Sequence, residues 1–216
     1  MFVLKPNKTK FTDTMLQRTQ ILYHMDIASI INFLDIQPGM KVVESGTGSG
    51  SLSLAFSKHL GTSGHLFTFE FNKERYEKAE EELAKLDVKN ASFFNRNAYL
   101  DGFLVEGKLG VGEADAVFLD LPSPWNAVEH ASKVLSRGGR LCNFSPCIEQ
   151  VQKTIEALSH EGFGDFRTIE ALQRHFMKKS AKENSIYATM NKKEEGELPE
   201  EEKEKVVRLE FSNGAG

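Results

Sequence analysis

The chain has 216 residues, 40% hydrophobic and 27% charged, which suits one globular domain with a sizeable core. No run of about 18 apolar residues is present to span a membrane, and the opening MFVLKPNKTKFTD lacks the apolar centre of a signal peptide, so a soluble, intracellular chain is expected. The two cysteines, Cys142 and Cys147, are too few for a disulfide framework and have no zinc-like spacing around them, so no metal is expected, and a net charge of -4 gives no sign of a chain that binds nucleic acid unaided.

Residues 1–17 show no clear period and read as an arm or the remnant of another unit; residues 18–216 read as one domain. From Thr19 to Leu34 the apolar spacing predicts a helix, stopped by Pro38-Gly39. A strand over 41–44 leads into a glycine-rich loop, a helix over 51–60 ended by Gly61 and Gly64, and a strand over 65–71. Asn72 is placed to cap a helix over 73–86 with Tyr76, Ala79, Leu83 and Leu86 on one face. Strands follow over 92–98 and 114–121, then a helix over 124–136 closed by Gly138-Gly139, and a strand over 140–145. A helix over 148–162 is expected to turn Ile148, Val151, Ile155 and Leu158 inward. A sixth strand is expected near Phe166 to Leu172 and a last edge strand over 206–212; the Lys- and Glu-rich stretch 178–205 between them reads as a mobile insertion. Such βαβ alternation predicts a parallel sheet covered by helices on both sides.

In that architecture ligands bind beyond the carboxyl ends of the strands, which draws attention to VVESGTGSGSLSL at 42–54. Gly46, Gly48 and Gly50 give G-x-G-x-G, not the G-x-G-x-x-G that seats a pyrophosphate. Glu44 just before them would repel a pyrophosphate and welcome a cationic amino-acid head group. The whole E-x-G-x-G-x-G resembles the first motif of the Rossmann-like, class I methyltransferases that use S-adenosylmethionine. There the glycines permit tight turning and let ligand atoms approach bare backbone. Glu70, ending the next strand, is placed to accept hydrogen bonds from two ribose hydroxyls, a role that would serve NAD equally.

The strand ending in Asp120 runs into LPSPW, where Ser123 and Pro124 suit a helix start but leave Asp120 and Trp125 unexplained. An acid at that strand end is poised to accept a hydrogen bond or a proton from the nucleophile. The phrase also resembles the D/N-P-P-aromatic motif of enzymes that methylate base nitrogens. Cys147 after Pro146 is the alternative nucleophile for carbon methylation, but it follows the fifth strand, one strand late.

RTQILYHMDI at 18–27, VVESGTGSGSLS at 42–53, GHLFTFEFNKERYEKA at 64–79, AVFLDLPSPW at 116–125 and NFSPCIEQVQKT at 143–154 resemble, in register, the catalytic subunits of eukaryotic tRNA (adenine-58-N1)-methyltransferases. The resemblance implies an α/β fold with a mostly parallel seven-stranded sheet. It implies a cofactor site of Leu22, Gly46, Gly48, Ser49, Gly50, Ser51, Glu70, Arg75, Asn97, Ala98 and Asp120, with Asp120 catalytic. It further implies tRNA contacts from Gln20, Ile21, Leu22, Tyr23 and His24, from Leu119, Leu121 and Pro122, and from Asn143, Phe144, Ser145, Pro146, Cys147, Ile148, Glu149 and Gln150. Nuclear location and a heterotetramer with a related non-catalytic subunit are implied as well, and the acidic balance agrees with a shared tRNA surface. Two departures stand out. Asn97 occupies a position where the family often has aspartate, and of the family's N-terminal β domain only a tail, FVLKPNKTKF, is expected in the sequence given. A binding or assembly subunit without catalysis is therefore the alternative reading.

Overall fold

A computed structural model describes residues 22–171 of the chain. Its central strands are β1 (Lys41–Ser45), β2 (His65–Glu70) and β4 (Ala114–Leu119), short apolar runs buried on both faces. Because successive side chains alternate, Val42, Leu66, Ala116 and Phe118 join one cluster with Ile30, Leu34 and Phe56. Val43, Phe67, Phe69, Val117 and Leu119 join a second cluster with Ala127, Ala131 and Val134. A strand with a core on each side has no place for a polar face, which is why these runs are nearly continuous in sequence.

With β3 (Ala91–Asn95) and β5 (Leu135–Asn143) these strands form a five-stranded, wholly parallel sheet in the order β3-β2-β1-β4-β5. The helices are α1 (His24–Leu34), α2 (Ser51–Leu60), α3 (Lys73–Lys85), α4 (Val128–Val134) and α5 (Ile148–His160). Asn72 caps α3 as expected, its side chain accepting from the Arg75 backbone N–H. After β3 the chain crosses back to the far side of β1, so strand order reverses between β1 and β4.

Several expectations change. Among the described residues the sheet has five strands, not seven. Residues 166–171, expected as the sixth, form no strand; Phe166 and Ile169 stand exposed, so the segment buries too little to hold a ladder. The expected strand 206–212, the insertion 178–205 and the arm 1–17 lie outside the described residues. Helix α1 begins at His24, with Leu22 and Tyr23 preceding it in non-helical backbone, and ends at Leu34 on a left-handed Asp35.

The single helix expected over 124–136 is a 3-10 turn at Pro124–Ala127 followed by α4. Pro124 opens the turn, but the Ser123 side chain makes no capping bond. Gly138-Gly139 does not close a helix. It lies inside β5, where the register with β4 jumps from Ala114↔Leu135 to Ala116↔Arg140. The glycines make that irregularity possible: Gly138 has φ +80°, and a Cβ on Gly139 would meet the Asp115 carbonyl oxygen at 2.9 Å. In α5 the buried residues are Thr154 and Leu158, whereas Ile148, at the first position, is 57% exposed.

Candidate active site

The reversal point brings the loop after β1 against the tip of β4. The Asp120 N–H donates to the Ser45 carbonyl at 2.8 Å, and Gly46, at φ +94°, lies so close that a Cβ there would stand 2.2 Å from the Asp120 carbonyl oxygen. Gly50 is bare for a different reason: at φ +80° it precedes α2, and a Cβ would meet Leu83 of α3 at 2.9 Å. Two of the three loop glycines therefore make room for protein, where the motif alone implies room for ligand. Gly48 keeps its backbone N–H directed at Glu70, donating to Oε2 at 3.1 Å.

A recess beneath this loop is lined by Leu22, Glu44, Gly46, Thr47, Gly48, Ser49, Ser51, Leu52, Phe118 and Asp120. Its free volume is about 30 Å³, enough for a small group only, so any larger ligand must extend from it along the strand tips. The Ser49 hydroxyl is buried and has no hydrogen-bond partner. A buried polar group of this kind is costly unless something arrives to satisfy it.

Glu44 is 1% exposed and bound from two sides: Ser53 Oγ donates to Oε2 at 2.5 Å and Thr68 Oγ1 at 2.7 Å. Since Thr68 donates to the carboxylate, the loop hydroxyl of Thr47 is the donor in its 2.6 Å contact with Thr68. Burial pushes Glu44 up to about 7 against the opposing pull of those two hydroxyls, with smaller rises from Asp120 and Glu70. Asp120 is pushed up to about 6, first by burial and then by the charge of Glu70. A cluster of acids crowded in this way is complementary to a cation.

Glu44 binds its proton more tightly folded than unfolded, so stability is full below about pH 4.5 and falls as pH rises towards 7. At about 1.4 kcal/mol per unit the loss approaches ~3 kcal/mol. Glu44→Gln is expected to flatten the fall in urea-unfolding stability between pH 5 and pH 8; an unchanged slope would contradict it.

Glu70, buried at the tip of β2, is already occupied: Oε1 accepts from the Asn72 N–H at 2.9 Å and from Arg75 Nε and Nη2 at 3.2 and 2.9 Å. Asn97 lies just beyond β3, its Oδ1 accepting from the Tyr99 N–H at 2.9 Å, and Ala98 beside it is buried. A line of positions from the recess across the tips of β1, β2 and β3 thus joins the residues expected to hold S-adenosylmethionine. The unsatisfied Ser49 hydroxyl and the crowded acids fit its cationic end; Glu70 can take a diol by sharing or displacing Arg75.

Of the positions expected at tRNA, Gln20 and Ile21 lie outside the described residues, Leu22 lines the recess, and Tyr23 and His24 are exposed at the start of α1. Leu119 is fully buried, whereas Leu121 is half-buried and Pro122 exposed. Asn143 donates to the Ser145 hydroxyl at 2.8 Å, and the Phe144 N–H to the Leu119 carbonyl at 2.9 Å. Pro146, Cys147, Ile148 and Glu149 are exposed, and Gln150 reaches from α5 to the Pro122 carbonyl at 3.0 Å. Among the described residues no group of three or more acidic, His or Cys side chains is placed to hold a metal, and no helix is long and apolar enough to cross a membrane. A larger groove of about 420 Å³ between α1 and α2 shares only Ser51 with the recess and contains none of Glu44, Glu70 and Asp120.

Sequence reasoning missed Ser53, Thr68 and Tyr99. Thr68 did carry a signal, a hydroxyl between Phe67 and Phe69 in a strand buried on both faces. Tyr99 carried none.

Strand order, the alternate-glycine loop after β1 and acids at the tips of β2 and β4 define the class of this fold and site: a Rossmann-like, class I methyltransferase. Over residues 1–214 the chain matches the family described as the tRNA methyltransferase complex GCD14 subunit, and it belongs to that family. It is 46% identical over 165 residues to the tRNA (adenine(58)-N(1))-methyltransferase catalytic subunit trmt61a of Dictyostelium discoideum, covering 76% of this chain and 52% of the relative. With the corresponding TRM61 subunit of Candida albicans it shares 38% identity over 176 residues, covering 81% of this chain and 52% of that one. The chain thus spans about half the length of these curated relatives. Among solved structures, tRNA (m1A58) methyltransferase TrmI from Aquifex aeolicus superposes with a TM-score of 0.71 at 30% identity, covering 82% of this chain and 68% of that one.

Proposed function

We propose that the chain carries out the S-adenosylmethionine-dependent methylation of N1 of adenine-58 in the T-loop of tRNA, as the catalytic subunit of a nuclear complex with a related non-catalytic subunit. The observation that carries the reading is Asp120, held at the reversal point with its backbone against Gly46 and lining the recess. The relatives named for this activity, and the net charge of -4 that leaves tRNA phosphates for a partner to neutralise, support it.

S-adenosylmethionine supplies an electrophilic methyl group on a cationic sulfur. Glu44 and Asp120 offer the negative surroundings that hold a cation, the Ser49 hydroxyl gains a partner, and Glu70 accepts from the ribose diol. Asp120, when ionised, accepts a hydrogen bond from the exocyclic amine of adenine, which aims N1 at the methyl group and stabilises the positive charge that the ring gains. The base must first leave the tRNA elbow to reach that carboxylate.

The test is incubation of the full chain, with and without its partner subunit, with labelled S-adenosylmethionine and unmodified tRNA, mapping the product by reverse-transcription stops. Label at adenine-58, strongest with the partner present, is expected; label confined to any other base overturns the reading. The alternative is an assembly subunit without catalysis, and calorimetry separates the two: no heat on titrating S-adenosylmethionine would support it.

A further inference from the structure

The segment behind Asp120 is tied by two side chains: the Pro122 carbonyl accepts from Gln150 Nε2 at 3.0 Å, and the other tie is to a backbone donor. In Leu121-Pro122-Ser123-Pro124 the two prolines have no N–H, so Ser123 carries the only backbone N–H from 122 through 124. That N–H donates to the hydroxyl of Tyr99 at 3.0 Å. Asp120 is fixed on its other side by the bond to Ser45, and behind it the Tyr99 hydroxyl and Gln150 anchor the catalytic segment.

Tyr99 is itself held firmly. Its N–H donates to Asn97 Oδ1 at 2.9 Å, and its carbonyl accepts from His130 Nε2 of α4 at 3.1 Å. The turn closes on that histidine so tightly that a Cβ on Gly102, at φ +62°, would stand 2.6 Å from His130 Nδ1. Within the turn the Asp101 N–H donates to the Asn97 carbonyl at 2.9 Å, and Asp101 Oδ2 accepts from the Asn97 N–H at 3.2 Å. The ring packs against the cluster that holds Phe69 and Phe103. One side chain therefore joins the turn that carries Asn97 and Ala98 to the segment that carries Asp120.

We propose that Tyr99 is a positioning residue: its hydroxyl sets the segment behind Asp120 and couples it to the Asn97-Ala98 turn, so that a nucleoside seated at the turn orders the catalytic carboxylate. The catalytic consequence rests on the methyl-transfer reading above. Removing the hydroxyl leaves the Ser123 N–H without its acceptor and takes away one of the segment's two side-chain ties, the other being Gln150 on Pro122, and a shift on the order of 1 Å at a reacting group costs about 10²-fold in rate.

Tyr99→Phe keeps the ring and removes only the anchor. In the full chain with its partner subunit, kcat for tRNA methylation is expected to fall about ten- to hundredfold, with the dissociation constant of S-adenosylmethionine within about twofold and the melting temperature lowered by no more than a few degrees. Hydrogen exchange gives a readout that does not need turnover: saturating S-adenosylmethionine is expected to protect the peptide 120–127 in the wild type and not in Tyr99→Phe. A kcat within about twofold of wild type, equal losses of turnover and cofactor affinity with a lower melting temperature, or identical cofactor-induced protection in both proteins would each overturn the proposal. Cofactor-induced protection that depends on the hydroxyl, in a wild type that methylates no tRNA, would support the coupling and overturn the tRNA reading instead.

Discussion

Asp120→Ala is expected to lower the single-turnover rate of tRNA methylation by about 10²- to 10⁴-fold, the range for losing a positioned proton acceptor, while S-adenosylmethionine still binds. The carboxylate is the group at the tip of β4 that can orient an exocyclic amine and oppose a positive charge on the ring, and Ala removes both effects. Asp120→Asn is the sharper variant because it keeps an acceptor and removes the charge; a loss close to that of Ala would assign the effect to electrostatics. The wild type adds a pH signature. Burial and the neighbouring charge of Glu70 push Asp120 up to about 6, so the rate is expected to fall as pH drops through that value and to level off above it. Full activity of Asp120→Ala, measured alongside calorimetric cofactor binding, would sink the assignment.

The second large effect is predicted at Gly46. A methyl group there would collide with the Asp120 carbonyl oxygen at 2.2 Å, and the φ of +94° is one that residues with a Cβ rarely adopt. Gly46→Ala is expected to cost about 1–2 kcal/mol in backbone conformation and about 1–3 kcal/mol more in forced displacement. Gly162→Ala separates the two contributions. It has φ +81° with nothing within 4 Å of the added Cβ, so it carries the conformational cost alone. Urea unfolding of both variants should show Gly46→Ala as the less stable, and its methylation rate should fall well beyond what lost folded protein explains, since Asp120 itself must move. Equal destabilisation of the two would mean that the backbone contact is of no consequence.

Much of the fold was legible because a parallel sheet buries its strands on both faces and writes them as continuous apolar runs, as in ADAVFL at 114–119. That run, with HLFTFE, sits close to where the pattern placed it. The Gly138-Gly139 pair was misread because a glycine pair after an apolar period is the ordinary end of a helix, and only the spacing against β4 shows that it relieves an irregular strand. The segment 166–171 carries Phe166 and Ile169 without a surface to bury them, something a local pattern cannot reveal.

In the site, Gly46, Glu70 and Asp120 were visible because strand-end chemistry restricts which residue types can stand there. The purpose of Gly46 was not, since the atom it avoids belongs to a strand end far along the chain. Tyr99 and Ser123 were illegible for the same reason: their bond joins residues 24 apart whose types are ordinary for a turn.

The apposition of Gly46 with Asp120 also bears on how the chain comes to be folded. β1, β2 and β3 are consecutive both in sequence and in the sheet, so they can pair while the remainder is still being made. β4 then enters on the open side of β1, where the Lys41 N–H donates to Asp115 Oδ2 at 2.8 Å across 74 positions of sequence. Until that strand arrives, the glycine loop has no wall to lean on and Glu44 has water on one side. A nascent chain halted before Ala114 would carry every residue of the first motif and still have no site.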